Sequence, residues 1–119
     1  MKTSIWITTQ FEGIHQYPAA KDLPGVEFLA NEHRHTFHVR VQVQVFHDDR
    51  EIEFILFKRW IDSLFADSVV QCNNQSCEMI ARELVIQLQN RHGTHREIQV
   101  DVSEDGENGA VVEYVPEEV

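Results

Sequence analysis

The stretch HRHTFHVRVQVQVFH (residues 33–47) alternates apolar and polar side chains over most of its length. Such alternation predicts a β-strand with one buried face, because successive strand residues point to opposite sides. We place the strand at residues 37–47, where the apolar row is formed by Phe37, Val39, Val41, Val43 and Val45. His33 and His35 extend the same row toward the N-terminus. Two imidazoles on the predicted buried face suggest a role that a surface strand does not require.

Bulk composition narrows the class of protein. The chain has 119 residues, of which 42% are apolar and 25% charged, as expected for a single globular domain over residues 1–119. The formal net charge is −10. An acidic chain of this kind argues against a nucleic-acid partner and against binding to an anionic membrane surface, since both need a basic patch.

The lengths of the apolar runs and the number of cysteines indicate the cellular compartment of the protein. No apolar run approaches the length of a membrane span, and the first residues lack the long apolar segment of a signal peptide. Cys72 and Cys77 are too few for a disulfide framework or a structural zinc site of their own. We therefore expect a cytoplasmic protein.

The remaining elements alternate between strands and helices. Residues 3–11 predict a first strand, residues 12–25 an irregular excursion, and residues 97–104 and 110–115 two final strands joined by a turn at 105–109. Two helices are predicted between the strand pairs. The first lies within residues 51–65 and has apolar residues at helical spacing, namely Phe54, Phe57, Ile61, Leu64 and Phe65.

The second helix covers roughly residues 77–91, after a polar break at 71–76. Ser76 is its predicted N-cap and Glu78 lies in its first turn, where a carboxylate favours the helix dipole. Its predicted buried face consists of Ile80, Ala81, Leu84, Val85 and Leu88. The order ββααββ predicts an α+β domain with two helices on one face of a four-stranded antiparallel sheet. The open edges of such a sheet are often closed by a barrel-like oligomer.

The histidines suggest a metal site. His33 and His35 lie on one side of a strand with Cβ atoms about 7 Å apart, close enough for their rings to converge on one ion. His15 shares the inward parity of the first strand if the chain stays extended past Phe11. The three residues match the three protein ligands of an open zinc site. The alternative is a polar strand end with hydrogen-bonded histidines.

Glu104 ends the core-facing row of the third predicted strand. Its carboxylate either bends into solvent or lines a pocket. In a pocket, its two oxygens suit the paired N–H groups of a guanidine-like ring edge, as in pterins and guanines.

Taken in order, five segments resemble the 6-pyruvoyl- and 6-carboxytetrahydropterin synthases, enzymes with the T-fold. The matching segments are FEGIH (11–15), HRHTF (33–37), EFILFK (53–58), SCEMIA (76–81) and SEDGENG (103–109). They cover nearly the whole chain in the order found in that family.

The resemblance implies a zinc ion on His15, His33 and His35, and a subunit that closes into an oligomeric barrel, as a homohexamer. It implies active sites at subunit interfaces, with Glu104 anchoring the pyrimidine edge of a pterin. Ser76 and Glu78 correspond to a helix-capping motif that also shapes the pterin pocket. The implied substrate is dihydroneopterin triphosphate or a related pterin.

Two positions depart from the family pattern. The family's catalytic cysteine falls at Leu29, and its Asp-His pair falls at Asp67 and Ser68. Some relatives in folate synthesis use a glutamate in place of the cysteine. Glu27 has the strand parity of Leu29 and is the candidate base, and Asp67, the counterpart of the family's aspartate, is the second candidate catalytic residue.

Three hypotheses follow. The first is a zinc-dependent lyase of the 6-carboxytetrahydropterin synthase type, in 7-deazaguanine (queuosine) or pterin synthesis. The second is a non-catalytic zinc protein that binds a pterin, purine or nucleotide-like ligand. The third is a structural oligomer whose histidines are vestigial. Zinc analysis separates the third hypothesis from the others, and a turnover assay separates the first two.

Overall fold

The structure is a computed structural model, and it describes residues 1–117. Five strands form its sheet: β1 (Thr3–His15), β2 (His33–Val45), β3 (Val70–Asn73), β4 (Ile98–Glu104) and β5 (Asn108–Tyr114). Two α-helices, α1 (Phe54–Leu64) and α2 (Cys77–His92), precede and follow β3. Short 3₁₀ helices at Pro18–Asp22 and Glu27–Ala30 lie in the connection from β1 to β2.

The strands form one sheet in the order β3-β1-β2-β4-β5. The four predicted strands are present and pair antiparallel, so the α+β class is confirmed. The sheet has a fifth strand, however, because β3 lies in the segment predicted as a polar break and pairs parallel to the end of β1. The order of elements is therefore ββαβαββ rather than ββααββ.

The first two strands are longer at the site end than predicted. β1 continues through residues 12–15, which were assigned to an irregular excursion, and β2 begins at His33 rather than at Phe37. The two strands stay in register from the pair Thr3–Val45 to the pair His15–His33. Each added residue pair satisfies backbone groups that would otherwise need water, which favours extension of the ladder.

Both helices pack on the same face of the sheet. The core between the helices and the sheet contains Phe37, Val39, Ile61 and Leu88, which are all fully buried. In α1, Phe57 and Ile61 are buried as predicted, whereas Phe54 is 56% exposed at the first helical position. In α2, the whole predicted apolar face is buried.

The helix start at Ser76 is also confirmed. The Ser76 hydroxyl accepts a hydrogen bond from the Met79 backbone N–H at 3.2 Å, and Glu78 lies in the first turn. The cap satisfies one of the amides that a helix N-terminus leaves without an internal partner. Within residues 1–117, no helix is long and apolar enough to cross a membrane.

Candidate metal and ligand site

The three predicted histidines meet at one end of the sheet. His15 on β1 pairs directly with His33 on β2, and Gly13 pairs with His35. All three side chains point to the core side, where Phe37 continues the row beneath them. His15 is 7% exposed, and the other two histidines are half-buried.

The three imidazoles are close enough to hold one ion. Their ring centroids are 4.5 Å apart for His15 and His33, 4.9 Å for His33 and His35, and 5.3 Å for His15 and His35. One ring nitrogen from each lies within 4.8 Å of those of the other two. The predicted convergence of the three rings is therefore present.

Each histidine has an oxygen partner on Nδ1. His15 Nδ1 donates to the Gln75 carbonyl at 2.8 Å, and His33 Nδ1 donates to the Asn31 carbonyl at 2.8 Å. A carbonyl oxygen only accepts hydrogen bonds, so in the neutral form of these rings the proton is on Nδ1 and the lone pair is on Nε2. Metal-binding histidines in proteins show this arrangement, in which an outer partner fixes the tautomer and the ring orientation.

The third ring is held by a residue that the sequence analysis did not identify. Asp105 Oδ2 lies 2.7 Å from His35 Nδ1, and Asp105 Oδ1 accepts the Thr36 backbone N–H at 3.0 Å. The hydrogen bond from His35, followed by that from Thr36, lowers the pKa of Asp105. The carboxylate thus stays charged and directs Nε2 of His35 toward the other two rings.

The Nε2 atoms provide the test of whether a cation fits. Nε2 of His15 and Nε2 of His35 are buried and have no hydrogen-bond partner among the described residues. The Glu104 carboxylate faces them, with Oε1 at 3.3 Å from His15 Nε2 and Oε2 at 3.3 Å from His35 Nε2. Lone pairs and a carboxylate that face each other at this distance need a proton or a cation between them. Three neutral imidazoles suit zinc, so the donor set fits the implied metal.

Two features of the fold help to position the histidine cluster. A Cβ atom on Gly13 would lie 2.8 Å from the Phe37 ring and 3.0 Å from Cys72 Sγ, so only glycine fits opposite His35. The missed strand β3 places Asn73 beside His15, and the loop after it supplies the Gln75 carbonyl. The short strand therefore positions one of the three ligands.

The cluster opens into a cavity of about 820 Å³ at the N-terminus of α2. This volume is in the range of small-molecule sites. The cavity is lined by His15, Gln16, Tyr17, Pro18, Ala19, Leu29, His33, Asn74, Gln75, Ser76, Cys77, Glu78, Met79, Glu104, Asn108 and Gly109. A second concavity of about 850 Å³ runs along the β1 edge near Lys58 and His38, away from the histidine cluster. We assign the ligand site to the first cavity because His15, whose buried Nε2 has no hydrogen-bond partner among the described residues, lines it together with His33.

The structure brings Glu104, Ser76 and Glu78 to the predicted pocket. All three line the cavity, together with two of the histidines. Cys77 also lines it, with Sγ 3.9 Å from Glu104 Oε1. Burial, and then the charge of Glu104, raise the pKa of Cys77 to about 11, so its thiol is protonated at neutral pH. Both cysteines are free thiols and both are buried.

Glu27 and Asp67 lie outside the cavity wall. Glu27 is exposed, and its carboxylate accepts the Gly25 backbone N–H at 3.1 Å. The strand parity used for Glu27 and Leu29 does not hold, because both lie in the 3₁₀ helix Glu27–Ala30. Leu29 lines the cavity. Asp67 is exposed in the connection between α1 and β3.

These features define a class of protein: an α+β domain with a five-stranded sheet and a three-histidine cluster at the mouth of a cavity. No protein-family model and no curated protein matches the chain. Solved structures with the same fold include the 6-pyruvoyl tetrahydropterin synthase of Plasmodium falciparum, with a TM-score of 0.70 and 15% identity over 96% of this chain and 99% of that one.

Two further solved structures are similar. One is a Plasmodium vivax 6-pyruvoyltetrahydropterin synthase in which a catalytic glutamate is replaced by alanine, with a TM-score of 0.69 and 14% identity over 95% of this chain and 98% of that one. The other is the Caenorhabditis elegans 6-pyruvoyl tetrahydropterin synthase, with a TM-score of 0.69 and 12% identity over 96% and 95%. The chain therefore has the fold of 6-pyruvoyl tetrahydropterin synthases over nearly its whole length.

Proposed function

We propose that this protein is a zinc-dependent, lyase-type enzyme that acts on dihydroneopterin triphosphate or a related pterin. The activity is of the 6-carboxytetrahydropterin synthase type, in 7-deazaguanine (queuosine) or pterin synthesis. The observation that carries the proposal is the set of three clustered histidines, each with Nδ1 hydrogen-bonded, at the mouth of a cavity. The Nε2 atoms of His15 and His35 face the Glu104 carboxylate. The shared fold with 6-pyruvoyl tetrahydropterin synthases supports it.

His15, His33 and His35 would hold the zinc ion. When bound, zinc acidifies and polarises a hydroxyl group of the substrate side chain. The chain's own contribution is to fix the three rings through Gln75, Asn31 and Asp105. Because these partners are already in place, the three rings need little rearrangement when the metal binds.

Glu104 is the proposed anchor for the pterin ring. A carboxylate has two acceptor oxygens and can take two parallel N–H bonds from the guanidine-like edge of a pterin. Ser76 and Glu78 shape the adjoining wall at the start of α2. In the structure both Glu104 oxygens face histidine Nε2 atoms, so the anchor role requires the carboxylate to turn toward the ligand.

Proton transfer is the least developed part of the site. Leu29 cannot accept a proton, and Ser68 is a poor substitute for a histidine relay. We propose Glu27 as the general base and Asp67 as a second catalytic residue. Glu27 is two residues from Leu29, which lines the cavity, and its carboxylate would have to release the Gly25 N–H in order to act there. A positioned base is worth about 10²–10⁴-fold in rate, so turnover should be slow but measurable.

The second candidate function is a non-catalytic zinc protein that binds a pterin, purine or nucleotide-like ligand. One observation favours it specifically, namely that neither Glu27 nor Asp67 lines the cavity. Under this alternative the histidines and Glu104 keep their binding roles, and no product forms.

The test is incubation of the zinc-loaded protein with dihydroneopterin triphosphate and, separately, with dihydroneopterin, followed by mass analysis of the products. Slow conversion of either compound supports the enzyme. Binding without conversion supports the second candidate, and no binding of either compound contradicts both.

Two matched variants assign the roles. Glu104→Gln should weaken pterin binding, because an amide offers one acceptor oxygen instead of two, whereas Glu107→Gln in the neighbouring exposed turn should not. Glu27→Gln should lower the rate of product formation with little change in binding. Unaltered affinity in Glu104→Gln contradicts the anchor, and unaltered turnover in Glu27→Gln contradicts the base.

A further inference from the structure

We propose that Glu104 is a fourth metal ligand in the ligand-free protein, beside His15, His33 and His35, and that it leaves the metal when a pterin binds. This inference rests on the proposed function for the identity of the ligand, and it adds a form of regulation to the same site. The four residues belong to one chain, so the metal-binding part holds whatever a neighbouring subunit adds to the cavity.

The distances between Glu104 and two of the histidines are those between ligands of one ion. Glu104 Oε1 lies 3.3 Å from His15 Nε2, and Oε2 lies 3.3 Å from His35 Nε2. Zinc binds histidine nitrogen at about 2.0–2.1 Å and carboxylate oxygen at about 2.0–2.2 Å, so at a tetrahedral angle the two ligand atoms are about 3.3–3.5 Å apart. The carboxylate therefore already lies at the separation that a shared metal requires.

A direct hydrogen bond does not account for these contacts. A charge-assisted bond between an imidazolium and a carboxylate is shorter, about 2.7–2.9 Å. His15 Nδ1 is bonded to the Gln75 carbonyl, so the neutral ring has a lone pair on Nε2 rather than a proton. Nε2 of His15 and Nε2 of His35 are both buried without a hydrogen-bond partner among the described residues. A cation between these nitrogens and the carboxylate satisfies all of them.

The end of β4 places two consecutive carboxylates at the two nitrogens of the His35 ring. Asp105 accepts the hydrogen bond from Nδ1 at 2.7 Å, and Glu104 lies at Nε2. Glu104 pairs across the sheet with Phe37, which follows His35 on the core face of β2, so its side chain starts on the side of the cluster. Cys77 Sγ lies 3.9 Å from Oε1. These neighbours hold the carboxylate on the Nε2 side of the ring.

Pterin binding would compete with the metal for Glu104. The proposed anchor role requires both oxygens to accept pterin N–H groups, yet in the ligand-free structure both face histidine nitrogens. The Glu104 side chain is 23% exposed and lines the cavity, so it can turn toward a ligand there. Its departure leaves three protein ligands on the metal, which is the number that a catalytic zinc site keeps. The site is therefore closed without a pterin and open with one.

Visible absorption of the cobalt(II)-loaded full chain tests both parts, because the bands of cobalt(II) report the number and kind of its ligands. Without a pterin, the spectrum of Glu104→Gln should differ from that of the native protein, since the carboxylate ligand is lost. Glu78→Gln should have the native spectrum. Glu78 is the matched control because it lines the same cavity and has the same charge, but is exposed at the start of α2.

Saturating dihydroneopterin should change the cobalt(II) spectrum of the native protein. The new spectrum should approach that of Glu104→Gln with the same ligand, because in both proteins residue 104 is then off the metal.

Competition with a chelator measures the contact as a zinc affinity. Glu104→Gln should lower this affinity about ten-fold or more, since loss of an outer partner alone typically costs about 10–100-fold. Glu104→Asp keeps the charge but is one methylene group shorter, so its oxygens do not reach the metal and we expect a comparable loss. Glu78→Gln should leave the affinity nearly unchanged. Denaturant unfolding shows whether each variant is folded, and Glu104→Asp carries the test if Glu104→Gln is not.

The outcomes separate this inference from the proposed function. A native cobalt(II) spectrum and a native zinc affinity in Glu104→Gln would overturn the inference and leave the proposed function standing. Equal losses in Glu104→Gln and Glu78→Gln would also overturn it, since the charge of the cavity would then set the affinity. A native spectrum that stays unchanged while dihydroneopterin is bound would overturn the displacement. Failure of dihydroneopterin and of its triphosphate to bind would contradict the proposed function, whereas the ligand-free comparison would still decide whether Glu104 is a ligand.

Discussion

Asp105 accepts a hydrogen bond from His35 Nδ1 at 2.7 Å while its other oxygen accepts the Thr36 backbone N–H at 3.0 Å. The carboxylate thereby fixes one ring of the proposed zinc site from behind. His15 and His33 have backbone carbonyls in the equivalent place, so His35 is the ring that a single side-chain substitution can loosen.

Asp105→Asn should therefore weaken zinc binding. Asn Oδ1 can replace one of the two hydrogen bonds, but its amide group cannot accept the other. Asn also tolerates the positive φ of 57° at this position, so the turn should fold normally. Loss of such an outer partner typically costs about 10–100-fold in metal affinity, measurable by competition with a chelator. An affinity equal to that of the native protein would show that Asp105 does not position the ring.

The metal itself should be present at about one zinc per chain and should depend on the histidines of β2. Replacing His33 and His35 by alanine removes two of the three ligands, so metal analysis of the purified variant should find almost none. His38→Ala is the control, because His38 is exposed on the same strand and points to the opposite face. Retention of zinc by the double variant would refute the site.

A separate pair of residues governs stability in acid. Glu51 accepts hydrogen bonds from Arg96 and from the Phe46 N–H, and these bonds lower its pKa from 4.5 to about 2. A carboxyl group with a lowered pKa stabilises the fold fully above its unfolded value, and this stabilisation is lost as the pH falls from about 4.5 toward 2. Glu51→Gln should therefore be less stable than the native protein at pH 7, with the difference shrinking across that range.

Denaturant unfolding at several pH values measures this difference. Asp49→Asn is a suitable control, since Asp49 and its partner Arg50 are both highly exposed and should contribute little. A stability difference for Glu51→Gln that stays constant from pH 7 to pH 2 would contradict the assignment.

The sheet edges predict self-association. Among the described residues, β3 covers only residues 13–15 of β1, and the outer edge of β5 has no partner strand. Exposed apolar side chains lie on both edge strands, Trp6 on β1 and Val111 on β5. Unpaired edges of this kind favour pairing with another copy, and we predict a homo-oligomer, a hexamer in the arrangement that the resemblance implies. Sedimentation at micromolar concentration checks this, and a stable monomer would contradict it.

The long periodic segments were predictable from sequence because their patterns reflect burial directly. The row from Phe37 to Val45 and the apolar face of α2 are buried as expected. β3 was missed because a strand of four residues has too few positions to show alternation. Its pairing with β1 depends on tertiary contact, which local sequence does not encode.

In the candidate site, too, some residues could be predicted from sequence patterns and others depend on tertiary contacts. The three histidines could be found because strand parity continues through the ladder to His15 and His33. Asp105 could not, because its contact with His35 joins a turn to a strand 70 residues away. The prediction that Glu27 and Leu29 point to the same side of a strand is wrong, because residues 27–30 form a 3₁₀ helix instead of an extended strand.

The most direct test of the account is the affinity of the zinc-loaded protein for dihydroneopterin, compared with that of the same protein after removal of the metal. The account predicts saturable binding to the zinc-loaded protein and affinity at least about ten-fold lower without metal, since the histidine cluster and the cavity form one site. Binding that is absent, or that is equally strong with and without zinc, would contradict it.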